Sequence, residues 1–436
     1  MWIIIDLFYI TIFVLTLPVL VLKVLRERRY AGVLRDRLRP APPRTSDKPC
    51  IWIHAVSVGE VKLAAGLAKE IERQLPCHEI AVSSTTVQGM EIARKTFAGR
   101  TVFNSPLDFS WVVRADYRNL RPCCLVLVEL ELWPNLLVEA KRLDLPVVVI
   151  NCRITERSNR GYQLLDTFWG GFIPSLGVRM FCTQNEVYAR RLLGLGIPSA
   201  RVRVTGSMKY DGLRTTGDAA RQKALREQLG LAEKSLVLVA ASTHDDEEAQ
   251  LADIFPSIAK EFPAARLVIV PRHVERAEAV VKAVSKAGLR PVRKTQLTEK
   301  SAESDWRTIP IVDTMGELID VMALATVVFV GKSISVENRG GHNMLEPAAL
   351  GKPVIFGPHV ANFQSEADFL LANGAARQVR GKIGLRDACV EFLRSPDLRN
   401  EMGRKAAGLI AQNQGATRRN VEVIRGILEG SGTETA

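Results

Sequence analysis

Aromatic residues make up only 6% of the 436-residue chain, and neither zinc-ligand spacing nor an RNP-like stretch occurs. Nucleic-acid binding is therefore disfavoured, although the formal net charge is +12. The seven cysteines (50, 77, 123, 124, 152, 182, 389) are odd in number and contain no C-x-x-C pair. Several lie inside apolar runs, where cysteine behaves as a small hydrophobe, so a disulfide framework is excluded and a reducing compartment is favoured. The chain lacks G-x-G-x-x-G and G-x-x-x-x-G-K-[ST], which argues against a dinucleotide enzyme or an NTPase. It also lacks the G-x-S-x-G elbow of a serine hydrolase. Beyond residue 22 no long apolar run comparable to the first is found, so the chain is not a channel or transporter.

The composition is globular, with 47% hydrophobic and 24% charged residues, and the length suits two domains. Excess positive charge fits an anionic partner such as a phosphorylated substrate or a membrane surface. Residues 2–22, WIIIDLFYITIFVLTLPVLVL, are long enough to span a bilayer, broken by Asp6 and Pro18. No cleavage site follows. Residues 23–39 carry seven basic side chains against Glu27 and Asp36, which predicts a cytoplasmic, lipid-facing segment. The expected layout is a membrane-anchor helix at 1–22, a basic segment and Pro-rich linker at 23–49, and two further domains at 50–215 and 216–436.

Within these domains short apolar runs alternate with amphipathic stretches. Strands are predicted at 51–55, 79–83, 124–128, 146–151 and 201–205, with helices at 60–75, 86–97, 134–143 and 184–195. A second set of strands follows at 235–242, 265–272, 308–313, 326–333 and 353–358, and 396–430 reads as helical. This rhythm predicts an α/β protein of two Rossmann-like domains facing a cleft.

Ligands of such sheets sit beyond the carboxyl ends of the strands, so polar clusters there are candidate sites. HAVSVGE (54–60) places Glu60 at a strand-to-helix turn. A carboxylate there is either a helix cap stabilised by the dipole or a catalytic base. In VELELWPN (128–135), Glu129 and Glu131 alternate with leucine and are expected on one face of an extended segment. TGSMKYD (205–211) holds Lys209, a candidate anion contact. In the second half, Pro271 and Arg272 end a strand. Met315, Gly316 and Glu317 open a helix, as do His342, Asn343, Met344, Leu345 and Glu346 after a glycine pair. Arginine and helix N–H groups suit a phosphate. The acidic run THDDEE (243–248) is better explained by helix capping than by a metal at His244, Asp245 and Asp246.

Taken together, HAVSVGE, ELELWPN, NCRITERS, TGSMKYD, ASTHDDEE, PRH, DTMGEL and GGHNMLEPAALGKPVIFGP, in that order, resemble the 3-deoxy-D-manno-octulosonic acid (Kdo) transferases of Gram-negative bacteria. The resemblance covers nearly the whole chain. It implies the GT-B glycosyltransferase fold with an N-terminal membrane-anchor helix, at the cytoplasmic face of the inner membrane. It further implies CMP-Kdo as donor, a lipid A precursor (lipid IVA) as acceptor, anionic membrane lipids as partners, no nucleic acid, and inverting chemistry without metal or cofactor. On this resemblance Glu60 is the general base, and Glu129 and Lys209 stabilise the transition state. Pro271, Arg272, Met315, Gly316, Glu317, Asn343, Met344, Leu345 and Glu346 hold CMP. The chain departs from the family pattern at Leu130, where threonine is commoner, at Met344, where many members have proline, and in a longer, more polar GKSISVENRGG. Rival readings are another GT-B enzyme, such as lipid-A disaccharide synthase or a nucleotide-sugar 2-epimerase, and a non-catalytic membrane-tethered scaffold.

Overall fold

A computed structural model describes residues 5–7, 9–11, 13–16, 29–169, 171–244, 246–297, 305–335 and 340–430. Most of the expected anchor helix at 1–22, together with Asp245 and residues 336–339 of the polar loop, lies outside the described residues. Among the described residues no helix is long and apolar enough to cross a membrane.

The chain forms two compact units, 1–212 with 413–436 and 213–412. The first is built on β1 (Cys50–His54), β2 (Glu79–Ser84), β3 (Thr101–Asn104), β4 (Pro122–Val128), β5 (Val147–Cys152), β6 (Met180–Thr183) and β7 (Val202–Val204), in the order β3-β2-β1-β4-β5-β6-β7. Every pairing is parallel. Parallel crossovers put helices on both faces of a sheet, so its central strands are buried on both sides. β1 shows this: Cys50 and Trp52 enter one core and Ile51 and Ile53 the other. The Trp52 indole donates to Ser83 Oγ at 2.8 Å, which makes so large a ring tolerable at full burial. The following helix, Val58–Gln74, buries Val61, Ala64, Leu67, Ala68 and Ile71, the stripe that a 3.6-residue period places on one side.

The second unit holds β8 (Leu236–Thr243), β9 (Ala265–Pro271), β10 (Arg290–Arg293), β11 (Thr308–Ile311), β12 (Val327–Val330), β13 (Val354–Phe356) and β14 (Arg377–Gln378), ordered β10-β11-β9-β8-β12-β13-β14 and again all parallel. Its core packs Leu238, Leu267, Ile309 and Phe329 against Phe255 and Phe392.

Two features differ from the sequence reading. β3, β6, β10 and β14 were not anticipated; each has four residues or fewer, too short for alternation to register. The chain end also does not stay with the second unit, to which 216–436 was assigned. The helix Ala416–Leu428 joins the first unit, its Ala416, Val421, Val423 and Ile424 packing into the core lined by Val61 and Leu67. Asp211 secures the return by accepting from Gly415 N–H at 2.6 Å and from Thr417 N–H.

Candidate active site

In the first unit the strand order reverses direction at the β1–β4 pair. A crevice at such a switch point is the usual ligand site of open parallel sheets. Glu60 follows β1 and Glu129 follows β4. Ser57 caps the helix by accepting from Glu60 N–H at 3.4 Å. Glu60 reaches back, its Oε2 accepting from Val56 N–H at 2.8 Å and its Oε1 from Ser57 Oγ at 2.7 Å. This is a variant of the capping box, so the capping reading of Glu60 is realised. It does not exhaust the residue: each carboxylate oxygen keeps lone-pair capacity beyond the one bond described. Glu60 is buried, and burial holds its carboxyl above the ordinary glutamate range. The bonds from Ser57 and Val56 oppose that rise, and the charge of Glu129 adds to it.

Glu129 stands in left-handed backbone, φ 65°, immediately after β4. The expectation that Glu129 and Glu131 share one face of an extended strand is therefore incorrect; the strand ends at Val128. A turn, not a pleat, brings the carboxylates within electrostatic reach. A non-glycine residue at positive φ stores local strain and is typical of functional sites. Glu129 is also raised by burial, opposed by the positive charges of Lys209 and Arg153. Glu131 is pushed up to about 7, by burial first and then by the charges of Glu60 and Glu129.

Lys209 is placed by a second strained residue. Asn151, at the end of β5 with φ 51°, accepts from Met208 N–H at 3.0 Å and fixes the turn that carries the lysine. Glu60, Glu129 and Lys209, far apart in sequence, are thus linked through the ends of β1, β4 and β5 and the turn after β7.

The second unit has its switch point at β8–β12. Here a fully buried carboxylate, Glu247, joins the two strand ends. It accepts from His244 N–H at 3.0 Å after β8, and from Lys332, Ser333 and Ile334 N–H at 2.7, 2.9 and 3.1 Å after β12. Capping explains only the His244 bond; the other three pin a distant loop. Ser242 and Lys332 both have positive φ, 55° and 58°. Gly331 is required between them: a Cβ there would lie 2.6 Å from Ser242 O and 2.7 Å from Glu247 Oε2.

Around this frame stand Arg272, exposed after β9, and three histidines. His244 stacks on His342 at 5.3 Å and meets His273 edge-on at 5.6 Å. His342 is driven down to about 3, chiefly by burial, then by the charges of His244, Arg272, Lys332 and His273. At the carboxyl ends of β8, β9 and β12 the positive charge therefore comes from Arg272 and Lys332, with His342 held neutral beside them, an arrangement suited to a phosphate. Sequence reading named Arg272 and His342 singly but missed the histidine set and Glu247, whose partners are close only in the fold. Among the described residues no group of three His, Cys, Asp or Glu side chains is placed to hold a metal ion.

The remaining nucleotide-site candidates are near helix starts but differ in availability. Pro271 is buried at the end of β9 and Met315 is 86% exposed. Gly316 has φ 87°, and Glu317 accepts from Lys294 Nζ at 3.0 Å and from Thr314 Oγ1. Just before the helix Leu345–Ala349, Asn343 accepts from Leu345 N–H at 3.1 Å and donates to Glu346 at 3.0 Å. Met344 and Leu345 have buried side chains, so only their backbone can serve a ligand.

Residues 32–212 match the family described as 3-Deoxy-D-manno-octulosonic-acid transferase (kdotransferase). The 3-deoxy-D-manno-octulosonic acid transferase of Chlamydia pneumoniae is 30% identical over 85% of this chain and 83% of its own. That of Chlamydophila psittaci is 32% identical over 85% and 84%. The chain belongs to the 3-deoxy-D-manno-octulosonic acid transferase family. The chain also matches the crystal structure of a glycosyltransferase from Rickettsia africae, with a TM-score of 0.55 at 12% identity over 88% of this chain and 99% of that one. At that identity the likeness concerns the fold, which is that of GT-B glycosyltransferases. The family match ends at residue 212, before the second unit begins, while the curated relatives extend through both units.

Proposed function

We propose that the protein transfers Kdo from CMP-Kdo to a hydroxyl of a lipid A precursor, lipid IVA, with inversion and without a metal ion. The first unit takes the acceptor and the second the CMP-sugar. The acceptor's primary hydroxyl oxygen attacks the anomeric carbon of Kdo. The bond from that carbon to the CMP phosphate oxygen breaks, the electron pair leaves with CMP, and the hydroxyl proton passes to Glu60.

The observation that carries this reading is the buried carboxylate group at the β1–β4 switch point. Burial raises Glu60 toward the range in which a carboxylate is an effective base. Its bonds to Val56 and Ser57 fix the direction of its remaining lone pairs. The cationic Lys209 beside Glu129 suits charge that develops as the phosphate departs. The positive charges of Arg272 and Lys332 at the strand ends of the second unit suit the phosphate itself.

The test is transfer by purified protein in detergent with CMP-Kdo and tetra-acylated lipid A precursor, with and without EDTA, read as product mass. One or more Kdo units gained regardless of EDTA is the expected result. Glu60→Gln should lose about 10²–10⁴-fold in rate while remaining folded. A folded Glu60→Gln protein that keeps most of its activity removes Glu60 from the base role. No mass gain with an active control enzyme moves donor or acceptor to another nucleotide-sugar chemistry.

A further inference from the structure

The N-terminal segment is tied to the first unit at both of its ends, by one short stretch of chain. Asp6 Oδ1 accepts from Ser110 N–H at 3.0 Å and from Asn135 Nδ2 at 2.8 Å, and its Oδ2 accepts from Ser110 Oγ at 2.6 Å. Tyr9 donates to Asp108 Oδ2 at 2.9 Å and meets Phe109 edge-on at 6.2 Å. Thirty residues later, Arg37 Nε donates to Ser105 O at 3.0 Å and its Nη2 to Pro106 O at 3.3 Å, while Leu107 N–H donates to Arg37 O at 3.0 Å.

Ser105 and Ser110 are five residues apart, at most roughly 18 Å even when fully extended. The hydrocarbon core of a bilayer is about 30 Å thick. A single crossing between Asp6 and Arg37 would separate them by more than this stretch permits. A carboxylate bonded to three donors of the folded unit also cannot be the far end of a span.

The same segment turns its carboxylate and its phenol inward, while its exposed threonines, Thr11 and Thr16, donate to backbone carbonyls of their own helix, Leu7 O at 2.7 Å and Phe13 O at 3.2 Å. Asp6 and Tyr9 face the unit, three apart on one side of the helix. Leu7, Ile10, Val14 and Leu15 are 57%, 42%, 58% and 74% exposed and follow the spacing of the opposite side. Trp111, 52% exposed, stacks on Phe109 at 4.6 Å and continues this apolar surface. The sequence that joins the segment to Arg37 carries Lys23, Arg26, Arg28, Arg29 and Arg35. An exposed apolar face with an exposed tryptophan near it, followed in sequence by a basic run, is the pattern of a helix lying in an anionic membrane surface.

We propose that residues 5–16 are a monotopic anchor: latched to the first unit through Asp6 and Tyr9, they press Leu7, Ile10, Val14, Leu15 and Trp111 into one leaflet of an anionic bilayer without crossing it. Asp6 then lies on the same side of the membrane as the first unit. This holds whichever sugar is transferred.

The deciding experiment places an epitope tag at the N-terminus of the full chain and digests sealed membrane vesicles of both orientations with protease. The tag should be cut only in inverted vesicles, together with the first unit. Cutting in right-side-out vesicles shows a span and overturns the proposal. A second measurement uses the purified full chain with vesicles of phosphatidylethanolamine and phosphatidylglycerol brominated near the headgroup. In a Trp2→Phe background tryptophan emission should be quenched at low salt, and adding Trp111→Phe should remove most of that quenching. Binding without a Trp111-dependent part, or cross-linking of position 7 to a second copy in place of lipid, overturns the assignment of this face. Asp6→Ala tests the latch: amide exchange at 110–112 should quicken several-fold, and unchanged exchange refutes it.

Discussion

Glu247 supplies the strongest stability prediction, because its four bonds need a group that only accepts. Glutamine has the same shape but one acceptor oxygen; its amide nitrogen is a donor. In Glu247→Gln the oxygen can serve one pair of N–H groups, either His244 with Lys332 or Ser333 with Ile334. The other pair then faces an NH₂ in a buried site. Two orphaned donors at about 1–3 kcal/mol each cost about 2–6 kcal/mol. The loss of a buried charge offsets part of this, since burial holds the Glu247 carboxyl above its ordinary range despite the four bonds. The net effect therefore belongs in the lower half of that interval. The unit spans 213–412, a size for which each kcal/mol shifts the melting temperature by about 2–4 °C. Calorimetry of wild type and variant should show the second unit's transition lowered by roughly 4–16 °C. Hydrogen exchange should show lost protection at Lys332, Ser333 and Ile334. A melting temperature within about a degree of wild type, with those amides still protected, would refute the idea that Glu247 clamps the two strand ends.

Two further predictions concern the first unit. Glu131 has its folded pKa raised from 4.5 to about 7. The group therefore adds stability that is full below pH 4.5 and is lost as the pH rises through 7. The effect is at most about 3 kcal/mol, less solvent screening at this half-buried position. Urea unfolding of Glu131→Gln across this range should show a flatter pH dependence than wild type, and parallel curves would show that the carboxylate cluster is not coupled. Asp211→Ala removes the acceptor for Gly415 and Thr417 N–H at the start of the terminal helix. The expected cost is about 1–2 kcal/mol, read as faster proteolytic release of residues beyond 413; an unchanged rate would mean that apolar packing alone holds the helix.

Much of this protein was written locally. The apolar runs around 51–55, 124–128 and 265–272 are long enough to announce central buried strands, and their alternation with amphipathic stretches dictates parallel sheets. Ser57 and Glu60, three residues apart before an apolar helix, carry their capping geometry in sequence. The positions of Glu60, Glu129, Lys209 and Arg272 just beyond strand ends were legible for the same reason, since a loop residue's place follows from the strand before it. Only the tertiary structure could decide what these groups meet. Glu129 leaves the strand in a left-handed turn that simple alternation does not encode. Glu131 acquires its raised pKa first from burial and then from the charges of Glu60 and Glu129, the former carried by a different strand end. Glu247 looks like an ordinary first-turn acid until β12 is laid beside β8. The terminal helix follows two hundred residues of the second unit in sequence yet packs against the helix after β1, because its apolar face finds its complement there. Periodicity reports which side of an element is buried, but not which distant surface buries it; that choice is made by the packing of the whole chain.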